Sequence, residues 1–160
     1  MTTTPLDPST PTWRREPAEV AVRAVLDEHA AAHAARDVGR LLSLYDDAAV
    51  SYTLAPPLQQ GPDSPYGTPE GIARWFGTFD GPVVIDYRDP VVTADGDVAF
   101  VHTLTRMTAR SVGQPESFSL WYRSTFGLRR RVDGWRIAHR HESTPFHMDG
   151  SFRAAVELQP

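Results

Sequence analysis

The stretch FSLWYRSTFGLRRRVDGWRIAHRHES, residues 118–143, reads as two strands joined by a tight turn at Asp133-Gly134. With that dipeptide as a two-residue loop, Val132 faces Trp135, and every pair outward stays on one side of the hairpin. Trp135, Ile137, His139, His141 and Ser143 then share a face with Phe118, Leu120, Tyr122, Ser124, Phe126 and Leu128. The opposite face carries Trp121, Arg123, Thr125, Arg129, Arg131, Arg136, Arg140 and Glu142. The first set is the more apolar, so it is expected to meet the rest of the fold and to carry His139 and His141 beneath it. A bulged three-residue loop would shift the register by one and undo that partition.

Working upstream, "PVVIDYRDPVV" and "DVAFVHTLTRMT" are two further strand candidates, joined by the turn signal Asp95-Gly96, with a looser connection at "SVGQPE". Before Gly81 the period is helical. Pro17 and Glu19 open a helix that runs to about Arg36, with Val22, Val25, Leu26, His29 and His33 along one face. Asp37 can cap a second, shorter helix striped by Val38, Leu41, Leu42 and Tyr45. A short strand follows near "AAVSYTL". Then "APPLQQGPDSPYGTP", with five prolines and two glycines, forms an irregular loop able to overhang a cavity. Thr68 with Pro69 starts a third helix through Phe76. Helices first and an antiparallel meander after predict an α+β fold. The expected organisation is a disordered tail over 1–16, one domain over 17–146 and a C-terminal tail over 147–160.

Composition excludes several chemistries. All 16 basic residues are arginines and there is no cysteine, which removes Schiff-base lysines, thiol nucleophiles, disulfides and cysteine metal sites. A net charge of −4 argues against nucleic acid as a partner. The start "MTTTPLDPSTPTWRREP" has no apolar core, so neither a signal peptide nor a membrane span is expected, and the protein reads as cytoplasmic. There is no glycine-rich loop between strand and helix to cradle phosphates, and no G-x-S-x-G elbow.

The clustering of titratable groups on an otherwise apolar face points to imidazole and phenol chemistry. A neutral histidine under apolar cover is poised to exchange protons near neutral pH. His139 and His141, alternating beside Tyr122, are therefore the candidate acid–base groups, and His29 and His33 repeat the pattern on the first helix. His102 and Arg106 lie four apart on one strand face, where the guanidinium could hold a carbonyl or an anion. Tyr45, Trp75 and Phe126 complete the candidate binding residues. The bland alternative is that the histidines are hydrogen-bonded interior residues. A further alternative is a three-imidazole metal site from His139-x-His141 with His102 or a helix histidine.

The order of parts resembles the cone-shaped nuclear transport factor 2-like fold, with three helices packed on a curved, mostly antiparallel sheet, over roughly residues 17–145. "HAARDVGRLLSLYDDAAV" (33–50) looks like the opening of ketosteroid isomerase-like and SnoaL-like proteins. "LAPPL" (54–58), "RWFGTFDGP" (74–82) and "RRVDGWRIAHRHESTPF" (130–146) look like a SnoaL-like subgroup. The resemblance implies a homodimer and a cone pocket. It also exposes departures: the base aspartate of ketosteroid isomerase would fall at Tyr52, its oxyanion tyrosine near His29, and its second acid on "SLWYRSTFGLRR", which has no carboxylate. Scytalone dehydratase-like chemistry, built on histidine and tyrosines, is the nearer analogy.

The expectation is thus a cofactor-free isomerase, cyclase or dehydratase acting on a small apolar carbonyl metabolite. His139 or His141 would move the proton and Tyr52, Tyr122 or Tyr45 would polarise the carbonyl. The rival readings are a non-catalytic ligand-binding or assembly module and a histidine-ligated metalloenzyme. The mixed outer face with Trp121, Arg123 and Thr125 is expected to pair with a second copy.

Overall fold

The computed structural model describes residues 17–160, so the expected N-terminal tail lies outside the described residues. In chain order the elements are α1 (Ala18–Ala35), α2 (Val38–Ser43), β1 (Tyr45–Tyr52), α3 (Pro69–Phe76), β2 (Val84–Asp95), β3 (Val98–Ala109), β4 (Phe118–Arg131) and β5 (Gly134–Ser143). Local chemistry sets these boundaries. Arg36 adopts φ 53 and its N–H donates to the Ala32 and His33 carbonyls, which ends α1. The Asp37 carboxylate accepts from the Arg40 N–H to start α2, and the Thr68 hydroxyl accepts from the Gly71 N–H ahead of Pro69 to start α3. No helix among the described residues is long and apolar enough to cross a membrane.

The five strands form one sheet in the order β1-β5-β4-β3-β2, antiparallel except for the parallel β1–β5 pair at one edge. α1 runs across one face of this curved sheet. Val22 and Leu26 meet Val101, Phe126, Leu128, Trp135 and Ile137 to form one half of the core. Ala32, Leu41, Ile72 and Phe76 gather with Val83, Ile85 and Ala109 in the other half. Each fully buried large side chain in these sets contributes about 1.5–3 kcal/mol. Tyr45 and Tyr87 border both halves, and the space between the halves is where the site lies.

The final hairpin corrects the expected register. Arg131, not Val132, closes the turn against Gly134, and Leu128 pairs with Ile137. That shift of two leaves the faces unchanged, so Trp135 and Ile137 point into the core as the pattern requires. Beyond them Gly127 pairs with His139, which makes Ala138 an extra residue in β5. Such a bulge re-aims every later side chain. Phe126 therefore lies opposite Arg140, and Ser124 opposite Glu142, while His139 and His141 fall on the outer face beside Gly127 and Thr125. The edge strand β1 follows the same irregularity, pairing Tyr45 with Ile137 but Val50 with His139.

After β5 the chain folds back through a bridge between Phe146 and Ala154, and Ala155 is buried. His147 lies 2.9 Å from the Glu157 carboxylate in this segment.

Candidate active site

A cavity of about 480 Å³ opens between α1, α2, α3 and the concave face of the sheet. Its apolar walls are Leu41, Leu42, Ile72, Trp75, Ile85, Met107 and Leu120. The loop between β1 and α3 forms its roof through Leu54, Gln60 and Tyr66. That loop lies tightly on α3: a methyl group at Gly71 would overlap the Pro65 carbonyl. The size is that of a pocket for a small organic molecule.

His29 is the buried hub of the polar floor. The Tyr87 hydroxyl is 2.6 Å from its Nδ1 and the Tyr45 hydroxyl 2.9 Å from its Nε2, with Arg140 Nη1 3.4 Å from that same Nε2. A guanidinium can only donate, so the network assigns the lone pair to Nε2 and the proton to Nδ1. Tyr45 then donates to His29, and His29 donates to the Tyr87 oxygen. Burial, with the cost of placing a positive charge beside the His33 ring and the Arg140 guanidinium, holds His29 well below the usual histidine pKa. With both nitrogens engaged, His29 positions its two tyrosines.

His33 differs. Its Nδ1–H donates to the His29 carbonyl at 2.8 Å, one turn back, which leaves Nε2 as an open lone pair at the cavity. Trp75 and Phe76 pack edge-on against the ring. Burial dominates the lowering of its pKa to about 4; the backbone hydrogen bond opposes this and Arg140 assists it, so the ring is neutral at physiological pH.

Arg140 and Glu142 enter from β5. The Arg140 Nε approaches Glu142 Oε1 to 3.7 Å, too far for a hydrogen bond, and their side chains are 16% and 13% exposed. Burial works against the Arg140 charge, but the neighbouring Glu142 carboxylate and the tyrosine oxygens outweigh it and hold the guanidinium's pKa above its ordinary value. Burial raises Tyr45 to about 12 and pushes Tyr122 and Tyr87 further up, so all three remain phenols. The Tyr122 hydroxyl and the Glu142 carboxylate make no hydrogen bond to any described residue, and both groups line the cavity. Four polar groups with unused bonding capacity therefore converge on one apolar chamber: His33 Nε2, Tyr122 Oη, Arg140 and Glu142.

The structure brings some of the sequence candidates together and separates others. His29, His33, Tyr45, Trp75 and Tyr122 line the cavity. Phe126 is buried beneath His29, with ring centroids 6.0 Å apart, and belongs to the core. His139, His141 and Tyr52 do not reach the chamber, which corrects the expected inward face. His139 Nδ1 donates to the Val50 carbonyl at 2.8 Å, His141 is exposed, and the Tyr52 ring packs edge-on against both imidazoles. The bulge at Ala138 is the reason. His102 and Arg106 also face outward, with Arg106 Nη2 2.8 Å from Asp86 and its guanidinium beside Trp121. No three His, Asp or Glu side chains among the described residues are grouped as a metal ion needs. The residues the sequence reading missed are Tyr87, Arg140 and Glu142. For Tyr87 a signal existed, since Ile85 and Tyr87 alternate on one strand face; for the other two the unseen bulge inverted the parity.

Comparison with known proteins places this geometry. No curated protein matches the chain. Among solved structures it is similar to a nuclear transport factor 2-like protein of unknown function from Pseudomonas putida KT2440, at 27% identity and TM-score 0.74, covering 89% of this chain and 96% of that one. A proposed scytalone dehydratase from Novosphingobium aromaticivorans shares 18% identity at TM-score 0.68, covering 86% and 90%. A proposed dehydratase of the nuclear transport factor 2-like family from Streptomyces avermitilis shares 18% at TM-score 0.68, covering 81% and 97%. At that identity the last two speak to the fold alone. The family model of the SnoaL-like domain matches residues 22–147, and with the α+β cone in place the chain belongs to the SnoaL-like family within the nuclear transport factor 2-like superfamily.

Proposed function

We propose that the protein is a cofactor-free enzyme that moves a proton next to a carbonyl group, in an isomerase, cyclase or dehydratase type of reaction on a small apolar metabolite. The observation that carries this reading is the Arg140–Glu142 pair, open to the cavity and not hydrogen-bonded to itself. A Glu142 oxygen takes the proton from the carbon beside the carbonyl, and the electron pair moves onto the carbonyl oxygen. Arg140 and the Tyr122 hydroxyl donate to that developing oxyanion. The negative charge passes from Glu142 to the substrate beside the same guanidinium, so no net charge is created in a low-dielectric chamber. His33 Nε2 is the second proton site, placed to accept or return a proton elsewhere on the substrate.

The test requires no knowledge of the physiological substrate. A panel of aryl ketones incubated in D₂O with the protein is followed by proton NMR for loss of the signal beside the carbonyl. Exchange above the buffer rate, abolished in Glu142→Gln, is the expected result. No exchange across the panel counts against the proposal and favours a non-catalytic binding module.

We also propose that the outer face of the sheet pairs with a second copy. Val91, Phe100 and Leu104 are 50%, 47% and 40% exposed there, in a band with His102, His141 and Tyr52. Sedimentation at micromolar concentration showing only monomer would contradict this.

A further inference from the structure

The charge balance of the chamber bears on what it accepts, in a way that rests on the acid–base reading of the same site. Arg140 and Glu142 are the paired charges on the polar floor, and both keep some surface toward the cavity. At the rim, Asp46 is already ion-paired with Arg131, and the exposed Asp47 adds a second carboxylate that also disfavours anions. His29 and His33 are neutral, held so by burial. The floor therefore carries one positive and one negative group whose charges cancel, yet each retains bonding capacity that the other does not use. A buried guanidinium and a buried carboxylate left in this state are costly unless a ligand completes them.

We infer that the Arg140–Glu142 pair selects ligands with a neutral head group that offers a hydrogen-bond acceptor and a donor side by side, and rejects anions. The acceptor meets the Arg140 guanidinium edge and the donor meets the Glu142 carboxylate. A carboxylate head would satisfy Arg140 but would bring a second negative charge against Glu142, with no further arginine among the described residues that line the cavity to compensate it. A head with an acceptor alone, such as a simple ketone, presents only a carbon-bound hydrogen to Glu142 and leaves the carboxylate without a hydrogen-bond partner, so it still binds and reacts but more weakly than a head that also carries a donor. The body of the ligand is small and apolar, because Trp75, Ile85, Met107 and Leu120 line the same cavity of about 480 Å³, and a naphthalene ring system serves as its probe.

Unreactive probes separate this inference from the catalytic one. Dissociation constants are measured by calorimetry for 2-naphthamide, N,N-dimethyl-2-naphthamide and 2-naphthoate. The primary amide offers an acceptor and donors, its dimethyl analogue an acceptor alone, and the naphthoate an anion. The wild-type protein is expected to bind the primary amide at least about tenfold more tightly than either of the others, the factor set by about 1.4 kcal/mol for one charge-assisted hydrogen bond. In Glu142→Gln, Arg140 is no longer neutralised and the order inverts, with the naphthoate binding most tightly. His139→Ala, on the outer face, leaves all three constants unchanged. Equal or tighter binding of naphthoate by the wild type, indifference to dimethylation, an unchanged order in Glu142→Gln, or no binding of any probe at millimolar concentration would each overturn the inference. The wild-type order stands as a test even if the variant misfolds. Selective binding without proton exchange on ketones would remove the catalytic reading alone, and exchange without this selectivity would remove the head-group inference alone.

Discussion

His33 makes the site a source of acid sensitivity whose size follows from its burial. The ring is 5% exposed and its pKa is lowered to about 4 in the folded protein. In the unfolded chain it returns to about 6.5. Between those values the unfolded chain binds a proton that the folded one refuses, so stability falls as pH drops through that window and is fully restored above it. Each pKa unit is worth about 1.4 kcal/mol, so the full effect is about 3 kcal/mol and the part lost between pH 7 and pH 4.5 is about 2 kcal/mol. His29, buried and shifted the same way, adds to the slope. Urea denaturation of the wild type and of His33→Asn, each at pH 7 and pH 4.5, isolates the His33 share. The asparagine side chain retains an N–H for the His29 carbonyl but cannot be protonated, and carboxylate titrations cancel in the comparison. The wild type is expected to lose about 2 kcal/mol more than the variant over that interval. Equal losses would refute the claim that a neutral imidazole is enforced at this position.

The other predictions follow from single contacts. Tyr122→Phe removes one donor to the oxyanion and is expected to slow ketone proton exchange about 10²–10³-fold, with binding of the ketone nearly unchanged. Phe126→Ala empties the core beneath His29 and is expected to cost about 3–5 kcal/mol in denaturant unfolding; a loss below about 1 kcal/mol would mean the core is not packed there as described. Gly71→Ala forces a methyl into the Pro65 carbonyl, so the roof loop lifts and amide exchange in residues 54–67 accelerates while the sheet amides stay protected.

Much of the fold was legible because its signals are local. Asp37 and Thr68-Pro69 each act through hydrogen bonds within a few residues, and the structure uses them as the sequence suggests; the β2–β3 turn also forms where Asp95-Gly96 signals it, with its two loop residues one position on, at Gly96 and Asp97. The α1 side of the site was legible for a related reason: His29 and His33 stand one turn apart on an apolar stripe, and helical periodicity places them without ambiguity. The sheet side was not. In AHRHE either the two histidines or Arg140 and Glu142 can turn inward, and hydrophobicity favours the histidines only weakly. The choice rests on Ala138, an extra residue that depends on how β1 and β4 flank β5, a non-local property. Apolar burial fixed the parity at Ile137, three residues before Arg140, and the bulge reversed it.

The most direct test compares two sets of substitutions on the same strand. Proton exchange on the best ketone of the panel is measured for Glu142→Gln and for the double variant His139→Ala/His141→Ala. Glu142→Gln is expected to slow exchange about 10²–10⁴-fold and the double variant less than about threefold. The reverse pattern, with exchange lost in the double variant and kept in Glu142→Gln, would contradict the placement of the reacting groups on the concave face of β5.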